Sequence, residues 1–374
     1  MSLTVLSVAF WLTPVGPGSV GGAEQVLLQI DHGLVRRGHT SLVIARPESQ
    51  VAGMLIPAAV PDTRISHDTW FTAHQSIRCA MSYALSHYAV DIVHMHGMHF
   101  SKYLPAQDVP TLITLHLPLN WYREKELRVT RPNTFFHCVS RSQRELFPPG
   151  IELLSDIENG VAGDLARTMS HFRKRNFAAL LGRICPEKGF DLGLRAAKRA
   201  GIGALLAGKV FPFAEHERYF AGRIAPELDA ERRYVGPAGM RRKRRLLSAA
   251  RCVVVPSVVP ETSSMVAREA LACGTPVVGF ARGALPEIIQ QGRTGFLVED
   301  ERELPDAIRA SIALDPQDCR RAAEQFLTSD KMVDRYIATY EQILKASCRS
   351  SQAAQPRANS SATFEQAVRI RETH

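Results

Sequence analysis

The chain has 374 residues, 45% hydrophobic and 22% charged, with a formal net charge of +9. That length suits roughly two domains, each able to bury its own core, and the composition is that of an ordinary soluble globular protein. The positive balance favours anionic partners, whether nucleotides, phospholipid headgroups or nucleic acids. Seven scattered cysteines with no C-x-x-C pair exclude a disulfide framework or a zinc knuckle and predict reduced thiols in a cytosolic setting. No apolar run approaches the ~20 residues that span a bilayer, so any membrane association is expected to be peripheral.

In chain order, Leu3 to Leu12 is apolar but lacks a basic leader and a small-residue cleavage site, so it reads as the first core strand. Gly16 to Gly22 then satisfies G-x-G-x-x-G before a helix, a pattern of dinucleotide sites. Two prolines stiffen that loop, and Arg46, where an acidic residue is usual, leaves at most an NADP variant. A glycine-rich loop that lets a phosphate or sugar approach the backbone is the reading that survives, beside a glycine turn needed only for tight packing. Ala23–Arg37 places Val26, Leu27, Ile30, Leu34 and Val35 on one helical face, with Gly38 as its stop. Strands are predicted at Ser41–Ala45, Asp91–His96, Thr111–His116 and Phe135–Ser140, with a second helix at Trp70–Tyr88.

The alternation restarts at Phe177. Strands are predicted at Phe177–Leu181, Ala204–Ala207, Arg233–Gly236, Cys252–Pro256, Pro276–Phe280 and Gly295–Val298, with helices near Phe190–Ala200, Met240–Ala250, Ser264–Cys273 and Leu285–Gln290. Alternating strands and helices imply right-handed crossovers and parallel sheets. The fold class is therefore α/β, with two doubly wound Rossmann-like domains facing an interdomain cleft. The expected boundaries are 1–162, a basic linker at 163–176, 177–346, and a tail at 347–374 expected to be disordered apart from a short helix at Phe364–Arg371. Ligands in such sheets bind beyond the carboxyl ends of the strands.

Several residues cluster at those strand ends. His94, His96 and His99 end one strand; His94 and His96 share a face, which suits metal ligation, packing or lining of the cleft, and no nearby carboxylate or cysteine completes a metal set. His116 ends the next strand, as a substrate contact or a satisfied core histidine. Arg183 and Lys188 lie on one turn after the first strand of the second half, so both can address a single anion. Gly203 to Lys209 imitates a phosphate loop but ends in Val210 without the hydroxyl that magnesium needs, and reads as a strand. The basic run Arg241 to Arg245 reads first as a solvated helix face and second as a contact with acidic membrane. Nucleic acid is not expected, since no aromatics interleave the run. Glu261 and Glu269 stand eight positions apart, one in a loop and one on a helix whose start at Ser263 or Ser264 is expected to be capped by their hydroxyls.

Together, GGAE at Gly21–Glu24, DIVHMHG at Asp91–Gly97, ENGV at Glu158–Val161, LGRICPEKG at Leu181–Gly189 and the Glu261-x7-Glu269 element resemble the retaining glycosyltransferases of the GT-B fold, family 4. EALACGTPVV and GALPEIIQQGRTGFLV follow that element, and the resemblance extends to about Ala346, where the last helix is implied to pack back on the first domain. It implies a nucleoside-diphosphate sugar donor, UDP- or GDP-linked, bound mainly by the second domain, and a saccharide or glycolipid acceptor bound mainly by the first. His116, Arg183, Lys188 and Glu261 would be catalytic. Gly21, Gly22, Arg183, Lys188, Ser263, Ser264, Met265, Val266 and Glu269 would bind donor. No metal and no further cofactor would be needed. Where many relatives carry phenylalanine and glycine, this chain has Thr262-Ser263-Ser264-Met265. The resemblance implies polysaccharide or glycolipid assembly in the cytoplasm, with peripheral contact at the inner membrane face. A sugar-nucleotide epimerase and a non-catalytic module for anionic surfaces are the alternatives.

Overall fold

The computed structural model describes residues 2–19, 21–60, 67–161, 173–326 and 328–354. Most of the expected linker, the tail beyond residue 354 with its suggested helix at Phe364–Arg371, and Val20 lie outside them. Two six-stranded sheets make the frame, and every strand pairing within them is parallel. The first contains β1 (Thr4–Val8), β2 (Thr40–Ala45), β3 (Met54–Pro57), β4 (Ile92–Met95), β5 (Thr111–Leu115) and β6 (Thr134–Cys138), in the order β3-β2-β1-β4-β5-β6. The second contains β7 (Arg175–Leu181), β8 (Gly203–Ala207), β9 (Arg232–Tyr234), β10 (Ala250–Val255), β11 (Val277–Phe280) and β12 (Gly295–Val298), in the order β12-β11-β10-β7-β8-β9.

Val5, Leu6, Leu42, Val43, Val253 and Val277 are all fully buried. A parallel sheet covered on both faces requires such unbroken apolar strands. Strand order reverses between β1 and β4 and between β7 and β10, so the crevices at these switch points are where ligands enter such sheets. Edge strand β3 is absent from the sequence-based prediction. It has four residues and ends in Pro57, and a short proline-ended edge gives no period to read.

Helices labelled here are α1 (Gly22–Arg36), α2 (His67–His87), α3 (Phe190–Ala200), α4 (Met240–Ala249), α5 (Met265–Ala272) and α6 (Ser329–Ala354). Helix α6 returns to the first sheet. Its Met332, Tyr336, Tyr340 and Ile343 are buried with Leu3, Val26, Ile30 and Leu34, and Arg36 and Arg37 pair with Asp330 and Asp334. The helix runs on to Ala354, past the Ala346 at which the sequence pattern ends it, because no proline intervenes before Pro356.

The α1–α6 seam closes over a glycine. A Cβ on Gly33 would lie 2.5 Å from Val333 Cγ2. Gly33→Ala gains about 1 kcal/mol of helix propensity, but overpacking of this kind costs about 1–3 kcal/mol. The expected net result is a lower melting temperature, recovered when Val333→Ala is added. A gain in stability from Gly33→Ala alone would contradict the packing.

Candidate active site

A cleft of about 640 Å³ opens between the carboxyl ends of the two sheets, within the ~300–1,000 Å³ usual for small-molecule sites. Four contacts tie its sides together. Thr262 Oγ1 donates to the His116 carbonyl at 2.8 Å, Arg268 Nη1 pairs with Glu158 Oε2 at 2.8 Å, Lys243 Nζ reaches Gln25 at 3.3 Å, and Glu287 accepts from the backbone N–H groups of Arg141 and Ser142.

On the second-sheet side the chain leaves β7 through Gly182 and a tight turn at Pro186–Lys188. That turn closes at Gly189, with φ +57°, against β10's exit: a Cβ there would lie 2.2 Å from the Pro256 carbonyl oxygen. The approach sets Lys188 beside the loop that follows Pro256, and Lys188 Nζ meets Glu261 Oε1 at 2.6 Å. Ser257 also donates to that oxygen. Burial pushes the Glu261 carboxyl up, but Lys188, Ser257 and Arg183 outweigh it and hold the group below the usual range. Arg183 reaches into the cleft, 5.9 Å above the Trp121 ring on the opposite side.

The loop ends at Ser264, whose φ of +42° is rare for a residue with a Cβ and costs on the order of 1–3 kcal/mol. The expected hydroxyl cap is corrected here: neither serine caps α5 through its side chain. An N-cap residue ordinarily sits in extended backbone, and the left-handed turn at Ser264 removes that geometry. Ser263 Oγ is buried without a partner. The first N–H groups of α5 stay free beside Met265 and Val266, which line the cleft. Glu269, on the next turn, is 4% exposed; its Oε1 takes the Lys243 ammonium at 2.6 Å, and its Oε2 has no partner.

Lys243 corrects the solvated-face reading of the basic run. Arg241, Arg242 and Arg245 are exposed, whereas Lys243 is buried with Leu247 one turn on and lines the cleft. Charge density alone hid it; the spacing of Lys243 to Leu247 was the available signal.

On the first-sheet side α1 opens at Gly21 and Gly22 without a side-chain cap. A Cβ on Gly21 would fall 1.9 Å from Glu24 Oε2, and one on Gly22 would lie 3.8 Å from Met265 of the other side. The Glu24 carboxyl is 6% exposed and raised by burial. It is a site residue that its place in GGAE could have disclosed. His96 Nδ1 and His116 Nε2 lie 2.9 Å apart at the ends of β4 and β5, and burial drives His116 down to about 3. His94 belongs to the core, held by Tyr340 at 2.7 Å and Thr114 at 2.6 Å, and His99 sits among Phe10, Trp70 and His74. The three histidines therefore do not converge on one point. Cys185, Glu187 and His216 do bring ligand atoms within 4.8 Å of one another, but Arg183 acts on both Cys185 and His216 and opposes a cation there. Arg46 is held by Glu48 at 3.2 Å.

Residues 176–313 match the model of the glycosyl transferases group 1, and residues 20–161 match that of Glycosyltransferase Family 4. Curated relatives include D-inositol 3-phosphate glycosyltransferases of Mycolicibacterium smegmatis, 33% identical over 56% of this chain and 49% of that one, and of Mycobacteroides abscessus, 32% identical over 54% and 49%. The chain spans about half the length of these relatives. Solved structures with the same fold include AviGT4, a glycosyltransferase involved in avilamycin A biosynthesis, with a TM-score of 0.69, 24% identity, and coverage of 92% of this chain and 98% of that one. A sucrose-phosphate synthase from Thermosynechococcus elongatus has a TM-score of 0.75, 19% identity, and coverage of 92% and 100%. Anabaena HepE, solved with UDP and glucose, has a TM-score of 0.68, 17% identity, and coverage of 91% and 99%. The two halves of the chain are thus glycosyltransferase domains, family 4 over residues 20–161 and group 1 over 176–313, joined in a GT-B fold.

Proposed function

We propose that the protein moves a sugar from a UDP- or GDP-linked donor to a hydroxyl of a saccharide or glycolipid acceptor, with retention of configuration and without a metal. One observation carries the reading: Arg183, Lys188 and Lys243 line the cleft together with the uncapped starts of α1 and α5. Five sources of positive potential facing one space suit a diphosphate. In this reading Arg183 and Lys188 hold the diphosphate and stabilise the charge that grows on it as its bond to the sugar's C1 breaks. The acceptor oxygen bonds C1 on the same face, and its proton passes to an oxygen of the leaving diphosphate. No step asks Glu261 for a proton. It is ionised and tied to Lys188, so it accepts from hydroxyls of the transferred sugar and releases Lys188 toward the diphosphate.

Glu269 accepts from the ribose hydroxyls through its free Oε2. Gly21 and Gly22 border the diphosphate, and the backbone from Ser263 through Val266 meets sugar and phosphate. His116 lies beneath the reacting sugar as a neutral imidazole. That the curated relatives are named D-inositol 3-phosphate glycosyltransferases supports the reaction class. No helix among the described residues is long and apolar enough to cross a membrane, and exposed Arg241, Arg242 and Arg245 suit the expected peripheral contact with an acidic cytoplasmic surface.

A thermal-shift series tests the donor site. Either UDP or GDP at about 100 times its Kd should stabilise the protein by about 2.7 kcal/mol, while NADP leaves the melting temperature unchanged. A shift with NADP and none with UDP or GDP would overturn the reading.

A further inference from the structure

The cleft has two chemically unlike sides. Its cations, Arg183, Lys188 and Lys243, all come from the second-sheet side, and among the described residues lining it from the first-sheet side none is lysine or arginine. Glu24 is the one carboxylate there. Arg78, Lys102 and Arg123 act through space on His74 or His99 but do not line the cleft.

What the first-sheet side offers instead is an apolar shelf with hydroxyl-binding atoms at its edge. Phe10, Trp70, Met98 and His99 all line the cleft. The Trp70 ring stands edge-on to His99 at 4.4 Å and to buried Trp11 at 4.7 Å; those two contacts fix its plane. Beside the shelf, His96 and Asn159 are 2% and 4% exposed, and His96 Nε2 and Asn159 Oδ1 are buried without partners. The Glu24 carboxyl completes the rim.

A sugar ring matches this arrangement. One face is C–H and stacks on aromatic rings, while its edge carries hydroxyls that satisfy buried donors and acceptors. A phosphorylated ligand does not match, because a phosphate monoester carries about −1.5 to −2 charges and calls for Arg, Lys or free N–H groups. On this side it would meet Glu24 and imidazoles that burial keeps uncharged, with His116 at about 3 and His96 well below its usual value. The free N–H groups of α1 are taken by the donor diphosphate.

We propose that the acceptor is an uncharged sugar ring that stacks on Trp70 with Phe10 and His99 against its edges, gives its hydroxyls to His96, Asn159 and Glu24, and excludes phosphorylated sugars and polyols. The inference rests on the proposed transferase reading, which fills the second-sheet side with donor.

Saturation-transfer NMR on the full chain with bound UDP or GDP tests it, using matched probes: glucose against glucose 6-phosphate, mannose against mannose 6-phosphate, and myo-inositol against myo-inositol 1-phosphate. The unphosphorylated member of at least one pair should bind about tenfold more tightly, a difference of about 1.4 kcal/mol. Trp70→Ala should abolish most of that binding while nucleotide affinity is unchanged, and Trp70→Phe should keep part of it. Nucleotide affinity serves as the folding control. Equal or tighter binding of the phosphorylated members overturns the inference, as does undiminished sugar binding by Trp70→Ala or the absence of any neutral-sugar binding beside intact nucleotide binding. Failure of wild-type protein to bind UDP and GDP overturns the transferase reading itself.

Discussion

Lys188→Ala should slow sugar transfer by about 10²–10³-fold, the usual consequence of removing one preorganised group that meets developing charge. The substitution has a second effect that must be separated from the first. Lys188 is the cation at 2.6 Å from Glu261 Oε1, and the Glu261 side chain is only 10% exposed. Lys188 is itself 26% exposed and Ser257 still donates to Glu261, so losing the ammonium strands the carboxylate at a cost of about 1–3 kcal/mol. Adding Glu261→Gln removes that stranded charge. The double variant should recover most of the lost melting temperature, yet its kcat should stay low because the diphosphate still lacks its cation. Steady-state donor consumption and thermal melting, run side by side on the two variants, check both halves. Near-normal kcat in a folded Lys188→Ala protein would remove Lys188 from the mechanism.

The larger stability effect is expected at Lys243. Its side chain is 11% exposed and its partner Glu269 only 5%, with 2.6 Å between them, and the second carboxylate oxygen has no partner. Lys243→Ala should destabilise the chain by about 3–5 kcal/mol and raise the donor KM. Lys243→Met with Glu269→Gln should restore stability, since it replaces a charged pair by groups of similar volume. The donor KM of that double variant should remain high because the hydroxyl acceptor at Glu269 has been weakened. An unchanged melting temperature for Lys243→Ala would mean that water reaches Glu269 freely.

The doubled α/β alternation was legible because parallel strands such as Val253–Val255 read as unbroken apolar runs. The places where sequence reasoning failed have physical reasons. Edge strand β3 is short and carries no period. Ser263 and Ser264 look like caps from their residue types, but the left-handed backbone at Ser264, φ +42°, cannot be read from them. The Arg241 to Arg245 run looks uniformly solvated until its register against Leu247 shows Lys243 turned inward. Arg183, Lys188 and Glu261 were legible as candidates because each lies in a loop that follows a predicted strand, and Glu269 because it lies within the predicted helix that comes next. That Lys188 pairs with Glu261, and Lys243 with Glu269, depends on how distant loops meet, as does the aromatic shelf around Trp70.

The most direct measurement is mass spectrometry of a panel of UDP- and GDP-sugars incubated with the protein, each with and without a mixture of neutral sugar acceptors. The geometry of the cleft predicts that one donor is consumed in step with an acceptor that gains the mass of one sugar, and that the nucleoside diphosphate accumulates. Donor converted to an isomer with no acceptor present, or no donor consumed by protein that binds neither UDP nor GDP, would contradict it.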